Sequence, residues 1–405
     1  MKMFEQITVD RQIFGKGEDL LVCGDSSAPL GAMDALKGKV QCVYVDPPFR
    51  TGGKFERRRP FGTKGWKTGT PAPGYRAYND AMSEKSWVRM MKGMTRQAYE
   101  LLSDTGVFCL HLDWRMNAQA RILCDKIFGA ANFLNEIIWS YESGGRSKRT
   151  FSRKHDVILL YAKGKNYKFD LSKVPLERTE NRSNHMRREM DEDGRLYSVI
   201  RSAGKEYRYY DDEPVYPGDV WTDISHLQQK DPERTGYATQ KPVKLLERLL
   251  LPVTEPGDWV ADLCIGSGTL AAAAEKLGLR YAAADLNPEA VAVTLGRLKA
   301  PNVTVECKTD KHAAPLCGEW MNGRLTLKDI ESTHPAFPEK CAPGDRLEQW
   351  EIGTVRDGTF FTEQHFGRSH RYPGLTMEIA LDDPAGKAIM TTDAAGVRRA
   401  YLVKI

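Results

Sequence analysis

No cysteine in this chain has a second cysteine three positions away, and none of its 8 cysteines follows a proline. The first absence argues against a zinc ribbon and against a disulfide framework, so the thiols are expected to be reduced and mostly buried, with no metal bound. No segment is long and apolar enough to span a bilayer, and residues Met1 to Asp10 carry charges where a secretory leader needs an apolar run. A cytoplasmic protein without a membrane partner is therefore expected. An excess of one charge sign is also missing. The 59 Lys and Arg against 54 Asp and Glu leave +5, which by itself identifies no partner.

What is present reads as ordinary folded protein. With 41% hydrophobic and 28% charged residues over 405 positions, the chain has material for a large buried sheet and a second, smaller unit. Between residues 18 and 300, short apolar runs ending in Gly or Asp alternate with helical patterns, the pattern of a doubly wound α/β fold with helices on both faces. Expected strands are Asp19 to Cys23, Val40 to Val45, Gly106 to Leu112, Asp156 to Tyr161, Trp259 to Leu263 and Arg280 to Ala284. Expected helices are Glu84 to Leu102, Arg115 to Ile127, Val243 to Leu251, Leu270 to Leu277 and Pro288 to Leu298, the last started by Asn287.

Two stretches break the rhythm. Residues 50 to 80, rich in Gly, Pro, Arg and Lys, read as a long loop that stays mobile until it meets a partner. Residues 164 to 235 are polar and basic and read as an insertion in the core. After residue 300 the alternation stops, and Trp350 to Phe361 and Leu375 to Ile405 read as hairpin strands of a small appended β-rich domain, 304 to 405, behind a catalytic domain 1 to 303.

Charge is unevenly spread. Arg50, Lys54, Arg57, Arg58, Arg59, Lys64 and Lys67 crowd one stretch opposed only by Glu56, and Arg146, Lys148, Arg149, Arg153 and Lys154 crowd another. Such clusters suit a phosphate backbone. The run Arg187 to Asp193 mixes signs and reads as a solvated face.

Asp46-Pro47-Pro48-Phe49 follows directly on an apolar strand, so Asp46 stands at a strand's carboxyl end, where open α/β sheets place ligands. The prolines lack an amide hydrogen and leave their carbonyls to accept hydrogen bonds from outside the ladder. A carboxylate, a carbonyl and an aromatic face together receive a planar ring bearing an amino group. An exocyclic amine is a poor nucleophile because its lone pair is delocalised, and acceptors for its hydrogens address this through orientation and electrostatics.

Downstream, Asp262-Leu263-Cys264-Ile265-Gly266-Ser267-Gly268-Thr269 joins a strand to a helix, and one β-α-β unit later a strand ends in Asp285. Gly266 and Gly268 permit close backbone approach, and Asp285 is placed to take both hydroxyls of a ribose. The loop lacks the third glycine of the dinucleotide fingerprint, so a single nucleoside is the better fit.

With both motifs placed, residues 18 to 300 resemble the amino-methyltransferases of DNA, in the β-class order where Asp-Pro-Pro precedes the glycine turn. The resemblance implies a Rossmann-like methyltransferase sheet, S-adenosylmethionine as donor, and double-stranded DNA as partner. It also implies N6 of a flipped adenine, or else N4 of cytosine, as target. Further segments match: Gly24-Asp25-Ser26, whose Asp25 would contact the donor's adenine, and Thr239-Gln240-Lys241-Pro242, whose Lys241 would hold its methionine end. Asp46, Asp262, Cys264, Gly266, Gly268, Thr269 and Asp285 would complete that site. A C5 enzyme of the related kind needs a thiol after proline, which is lacking here.

The sequence departs from the family at three places. Leu263-Cys264 replaces Pro-Phe, Arg50 replaces an Asn, and Phe49 replaces Tyr. His111 and Asp113 either line the base pocket or form a structural strand-end pair. Trp66 is the tryptophan best placed for base stacking. Residues 50 to 80 and 145 to 154 would clamp the DNA backbone, and 164 to 235 would read base edges. An RNA methyltransferase and a non-catalytic DNA-binding subunit are the rival readings. A cognate restriction endonuclease and a homodimer are partners the resemblance allows.

Overall fold

The computed structural model describes residues 3–52, 54–57, 75–142, 147–176, 187–228, 230–299, 301–331, 344–368, 374–394 and 396–404, with the backbone alone for 54–57 and 75–79. Eight strands form the part of the sheet that carries the site: β1 Asp19–Cys23, β2 Val40–Val45, β3 Leu102–Leu112, β4 Phe133–Ser140, β5 His155–Ala162, β6 Trp259–Asp262, β7 Arg280–Asp285 and β8 Val303–Glu306. Their spatial order is β8, β1, β7, β6, β2, β3, β5, β4. From β8 to β3 all neighbours run parallel, and β5 lies antiparallel to both β3 and β4.

Strand β2 shows why both faces must be covered. All six of its residues are buried. Cys42 and Tyr44 enter one core, whereas Val43 and Val45 enter the core on the opposite face. That is the period of two of a strand buried on both sides. Helices α1 Glu84–Leu101 and α2 Asn117–Cys124 cover the second face through Trp87, Met91, Ala98, Ala120 and Cys124. Helices α3 Val243–Leu250, α4 Thr269–Leu277 and α5 Pro288–Arg297 cover the first through Leu246, Leu250, Leu270 and Val291.

Local chemistry sets the helix ends. Ser83 caps α1 by accepting from the Ser86 amide at 3.1 Å, and Asn287 caps α5 by accepting from the Glu289 amide at 3.0 Å, with Pro288 in the first turn. Helix α2 ends at Cys124, short of the expected Ile127, because the chain widens into a π-turn over Asp125–Gly129.

Elsewhere the structure adds strands that the sequence pattern hides. The stretch expected as a long loop contains a two-stranded ribbon, Lys54–Arg57 against Tyr75–Asn79. Within the insertion, Arg187–Met190, Leu196–Ser202 and Lys205–Tyr210 form their own antiparallel sheet, and Val220–Trp221 returns to pair with β4.

The residues after 303 are β-rich; Leu316–Met321, Arg324–Ile330 and Glu378–Ala380 form a three-stranded antiparallel sheet of their own, whereas the other strands continue the central sheet. Arg11–Ile13 pairs with β8 on one side and with Thr359–Phe361 on the other. Beyond it stand Thr359–Gly367, Leu347–Arg356, Ala388–Asp393, Arg398–Val403 and Phe4–Ile7. The chain's first strand thus pairs with its last, Phe4 opposite Val403. Arg11–Ile13 covers the edge that β8 would otherwise expose. Asp357 and Gly358, both at positive φ, make the tight turn of one hairpin.

Candidate active site at the carboxyl ends of the parallel strands

Three adjacent strands deliver three carboxylates to one edge: Asp285 ends β7, Asp262 ends β6, and Asp46 follows β2. They line a cavity of about 510 Å³. Asp25, Pro47, Pro48, Phe49, Lys241, Cys264, Gly266 and Thr269 line it as well, so the two motifs and the flanking matches share one space. Gly268 stands just behind, at φ 75°, as the left-handed start of α4. A Cβ there would lie 2.8 Å from Thr294 Oγ1 and 3.0 Å from Thr294 Cα, so glycine is required.

Asp46 is fixed from a distance. Lys241 Nζ donates to its Oδ2 at 2.7 Å and also lies 5.0 Å from the Phe49 ring centroid. The resemblance assigned Lys241 to the methionine end of the donor; in this structure it pairs with the carboxylate of the other motif. The backbone carbonyl of Lys241 in turn accepts from Thr269 Oγ1 at 3.1 Å. Arg297 binds the glycine turn through Ser267 O at 3.0 Å and Glu233 at 2.8 Å. Gln240 closes the Glu233–Lys241 segment by accepting from the Thr235 amide at 2.8 Å and donating to Glu233 O at 2.8 Å.

The prolines behave differently from the expectation that both carbonyls stay open. Trp87 Nε1, from α1, donates to Pro48 O at 2.7 Å, which pins the turn and occupies one of the two carbonyls. Beyond the prolines, Arg50 adopts φ 57° while its amide and that of Thr51 donate to the two oxygens of buried Asp80, each at 2.7 Å. Arg50 Nε turns back to Met82 O at 3.1 Å, so this arginine supports the turn as well as adding charge. Thr239, a β-branched residue at φ 58°, lines the same cavity. Outside glycine, the other positive φ values among the described residues fall in β-hairpin turns, at Ala203, Asn322 and Asp357, so the backbone strain not explained by hairpins gathers here.

His111 resolves toward structure. It is fully buried, with Nδ1 2.8 Å from the Tyr44 hydroxyl and Nε2 3.0 Å from Asp156 Oδ2. The Tyr141 hydroxyl completes the chain by donating to Asp156 Oδ1 at 3.1 Å. Burial works to raise the Asp156 carboxyl, but the hydrogen bond and charge of His111, the charge of Lys241 and the Tyr141 hydroxyl outweigh it and hold it below its ordinary range. The outer face of the imidazole stacks under Phe49, with centroids 6.1 Å apart and planes at 26°. His111 therefore positions the aromatic platform without reaching the cavity itself. Asp113 accepts from the Arg115 amide at 2.8 Å and serves the strand end.

Four carboxylates among the lining residues, Asp25, Asp46, Asp262 and Asp285, face one ammonium, Lys241. Burial, reinforced by the charges of Asp46 and Asp285, pushes Asp262 well above the usual carboxylate range. Burial also lifts Asp285 to about 6, although the amides of Asn287 and Gly266 donate to its two oxygens at 2.8 and 3.0 Å. A cavity lined by four carboxylates and one ammonium favours a cationic ligand. Leu286 adds an apolar wall that is 71% exposed along the cavity, and the Cys264 thiol, pushed up by burial, is inert there. A nucleoside carrying a sulfonium matches this set: apolar surface, ribose acceptors and negative potential.

Residues 40–295, more than half of the chain, match the model of the DNA methylase family (N6_N4_Mtase). This chain belongs to that family, the N6/N4 DNA methyltransferases. It is 23% identical over 310 residues to the type II methyltransferase M.EcaI of Enterobacter cloacae, covering 65% of this chain and 66% of that one. It is 24% identical over 287 residues to the DNA adenine methyltransferase YhdJ of Escherichia coli K12, covering 70% and 84%. Among solved structures, the PvuII DNA methyltransferase (cytosine-N4-specific) aligns over 72% of this chain and 92% of its own, at 16% identity and a TM-score of 0.44.

The basic clusters are partly described. Arg58, Arg59, Lys64, Trp66, Lys67 and Arg146 lie outside the described residues, as do the side chains of Lys54 and Arg57. Lys148, Arg149 and Arg153 are exposed, with the Arg153 guanidinium 3.7 Å from the Trp114 ring centroid; Lys154 is half-buried and donates to Glu142 O at 2.8 Å. Sequence reasoning missed Tyr44, Asp80, Trp87, Asp156 as a partner of His111, and Arg297. Each acts through a partner remote in sequence, which leaves no local signal. No helix among the described residues is long and apolar enough to cross a membrane.

Proposed function

We propose that this methyltransferase transfers a methyl group from S-adenosylmethionine to the exocyclic amino nitrogen of a base flipped out of duplex DNA, with adenine N6 as the target. The observation that carries the reading is the shared cavity, in which the Asp46 carboxylate, held by Lys241, faces the ribose-binding layout of Gly266 and Asp285. When bound, the donor supplies an electrophilic methyl group on a positively charged sulfur. Asp285 and the Gly266 backbone would hold its ribose, Asp25 and Leu286 would flank its adenine, and the ring of carboxylates would favour its charge. Asp46 and the Pro47 carbonyl would accept the two amino hydrogens, orienting the nitrogen lone pair toward the methyl and stabilising positive charge as it develops on nitrogen; as the N–C bond forms the S–C bond breaks to leave a neutral thioether, and one amino proton departs by way of the Asp46 carboxylate to solvent. Phe49, backed by His111, stacks on the base.

Adenine rests on Asp at the first position of the catalytic motif and on the adenine activity named for YhdJ. Duplex DNA rests on the family and on the exposed cations Lys148, Arg149 and Arg153 beside the site. Sequencing DNA from cells that express the chain, by a method that sees modified bases, gives base, atom and recognition site together. N4-methylcytosine in place of N6-methyladenine would reassign the target. Label appearing only in structured RNA when both substrates are offered labelled donor would overturn the DNA reading.

A further inference from the structure

Among the large hydrophobic side chains of the described residues, Phe151 is the most exposed, at 99%. An isolated exposed apolar residue is ordinary, but this one is displayed. It sits in residues 147–154, the described run that leads from the β4–β5 loop into β5, and contacts brace that run on both sides of the ring. On one side Ser147 Oγ accepts from the Thr150 amide at 3.1 Å, while the Ser147 amide donates to Ser152 Oγ at 3.1 Å. On the other, Arg153 packs on Trp114, and Lys154 O receives the Tyr141 amide at 2.9 Å. The phenyl ring therefore projects from a braced turn.

Its surroundings select the occupant. From Ser147 to His155 the sequence holds Lys148, Arg149, Arg153 and Lys154 and no acid. An apolar tip inside a basic rim matches a stack of bases inside two phosphate backbones, and it mismatches a protein groove, which would need acidic partners. The place is also right. The loop leaves the sheet at the end where β3 delivers His111, and Asp156, one residue into β5, bonds His111 beneath Phe49.

Resting on the methyltransferase reading above, we propose that Phe151 is a wedge that enters the DNA stack where the target base leaves it. Extrusion costs stacking and pairing, and a ring inserted into the gap keeps the neighbouring bases stacked and delays the base's return. Phe151 makes no contact with the reacting atoms in this scheme and is a positioning residue.

The test uses the full chain and two duplexes carrying the recognition site read from methylated DNA. One is fully paired, and the other has the target base opposite an abasic site, so that it is already unpaired. Phe151→Ala should slow single-turnover methylation of the paired duplex by about tenfold to a hundredfold. It should slow the abasic-opposed duplex far less, and leave donor affinity and the salt slope of DNA binding unchanged. Phe151→Leu should recover most of the loss. With 2-aminopurine at the target position, the wild type should brighten on binding and Phe151→Ala should not. Equal slowing on both duplexes, or no slowing on either, overturns the wedge while the methyltransferase reading stands. A wild-type chain that methylates neither duplex overturns that reading and the wedge with it.

Discussion

Lys241 Nζ and Asp46 Oδ2 are 2.7 Å apart, although 195 residues of chain separate them. The pair ties the segment beside the glycine turn to the Asp46-Pro47-Pro48-Phe49 motif, so the two sides of the cavity share one electrostatic link. Replacing Lys241 by Met should lower methyl transfer at saturating donor by about tenfold to a hundredfold, because the orienting carboxylate loses its partner. Rapid-quench kinetics and calorimetry together check this. An unchanged kcat with weakened donor binding would return Lys241 to the methionine end alone.

Asp46→Ala should reduce turnover by about two to three orders of magnitude, the cost of removing one preorganised acceptor. Donor affinity should change little, since the carboxylate is assigned to the amine. Near-normal turnover would refute the assignment.

Asp285 offers a pH test. Its carboxyl, ordinarily near 3.8, is held at about 6 by burial, so between those values the folded protein binds a proton that the unfolded chain has lost. Stability of the unliganded protein should therefore fall as pH rises from about 4 to about 6. Asp285→Asn should remove that pH dependence, at the cost of one of the two hydrogen bonds that the Asn287 and Gly266 amides donate to the carboxylate. With the proposed ribose contact made by the ionised carboxylate, donor affinity in the wild type should weaken as pH drops below about 6. In Asp285→Asn, affinity should be low and flat with pH. Thermal melts and calorimetry between pH 5 and pH 8, a range set about the expected midpoint, would show it.

Trp87→Phe keeps the buried ring but removes the donor to Pro48 O. The orphaned carbonyl should cost about 1 to 3 kcal/mol of stability. Turnover should fall as well, with little change in donor affinity, because Pro47 and Phe49 share that turn. A denaturant midpoint equal to wild type would show that water replaces the indole.

Neutralising Lys148 and Arg149 together should weaken cognate and unrelated duplexes alike. The plot of log affinity against log salt should flatten by about 0.9 for each phosphate left without its cation. Exchanging residues 164–235 for those of a relative should instead change the methylated sequence. That insertion carries an exposed three-stranded sheet with Tyr207 and Tyr209 near half exposed, the surface on which such a change would be sought. A changed site in the lysine-arginine variant would move the reader to the loop.

Much of the site is legible in the order of residues. The strands Asp19–Cys23 and Val40–Val45 fall where the apolar runs place them, and Asp285 ends a strand as its position after Ala284 implies. Less legible are β4 and β8. The first carries Asn135 and Glu136 exposed at its outer end, and the second has four residues whose strand character comes from pairing with β1 and Arg11–Ile13. The role of His111 stays open between pocket and structure in the sequence because a strand-end histidine looks the same in either case; Tyr44 and Asp156, which decide it, lie 67 and 45 residues away.

The sequence by itself determined the alternation of strand and helix, the carboxylate at a strand end, and the turn that only glycine can make, since each is enforced within a few residues by backbone sterics, side-chain periodicity or a missing amide hydrogen. Tertiary structure alone decided that Lys241 serves Asp46, that Trp87 holds Pro48, and that Phe4–Ile7 closes on Arg398–Val403 at the far edge of the same sheet. Those relations are contacts between segments distant in the chain. Periodicity fixes which face a residue presents, whereas the partner it meets depends on how the layers pack and on the ordering entropy that packing must offset.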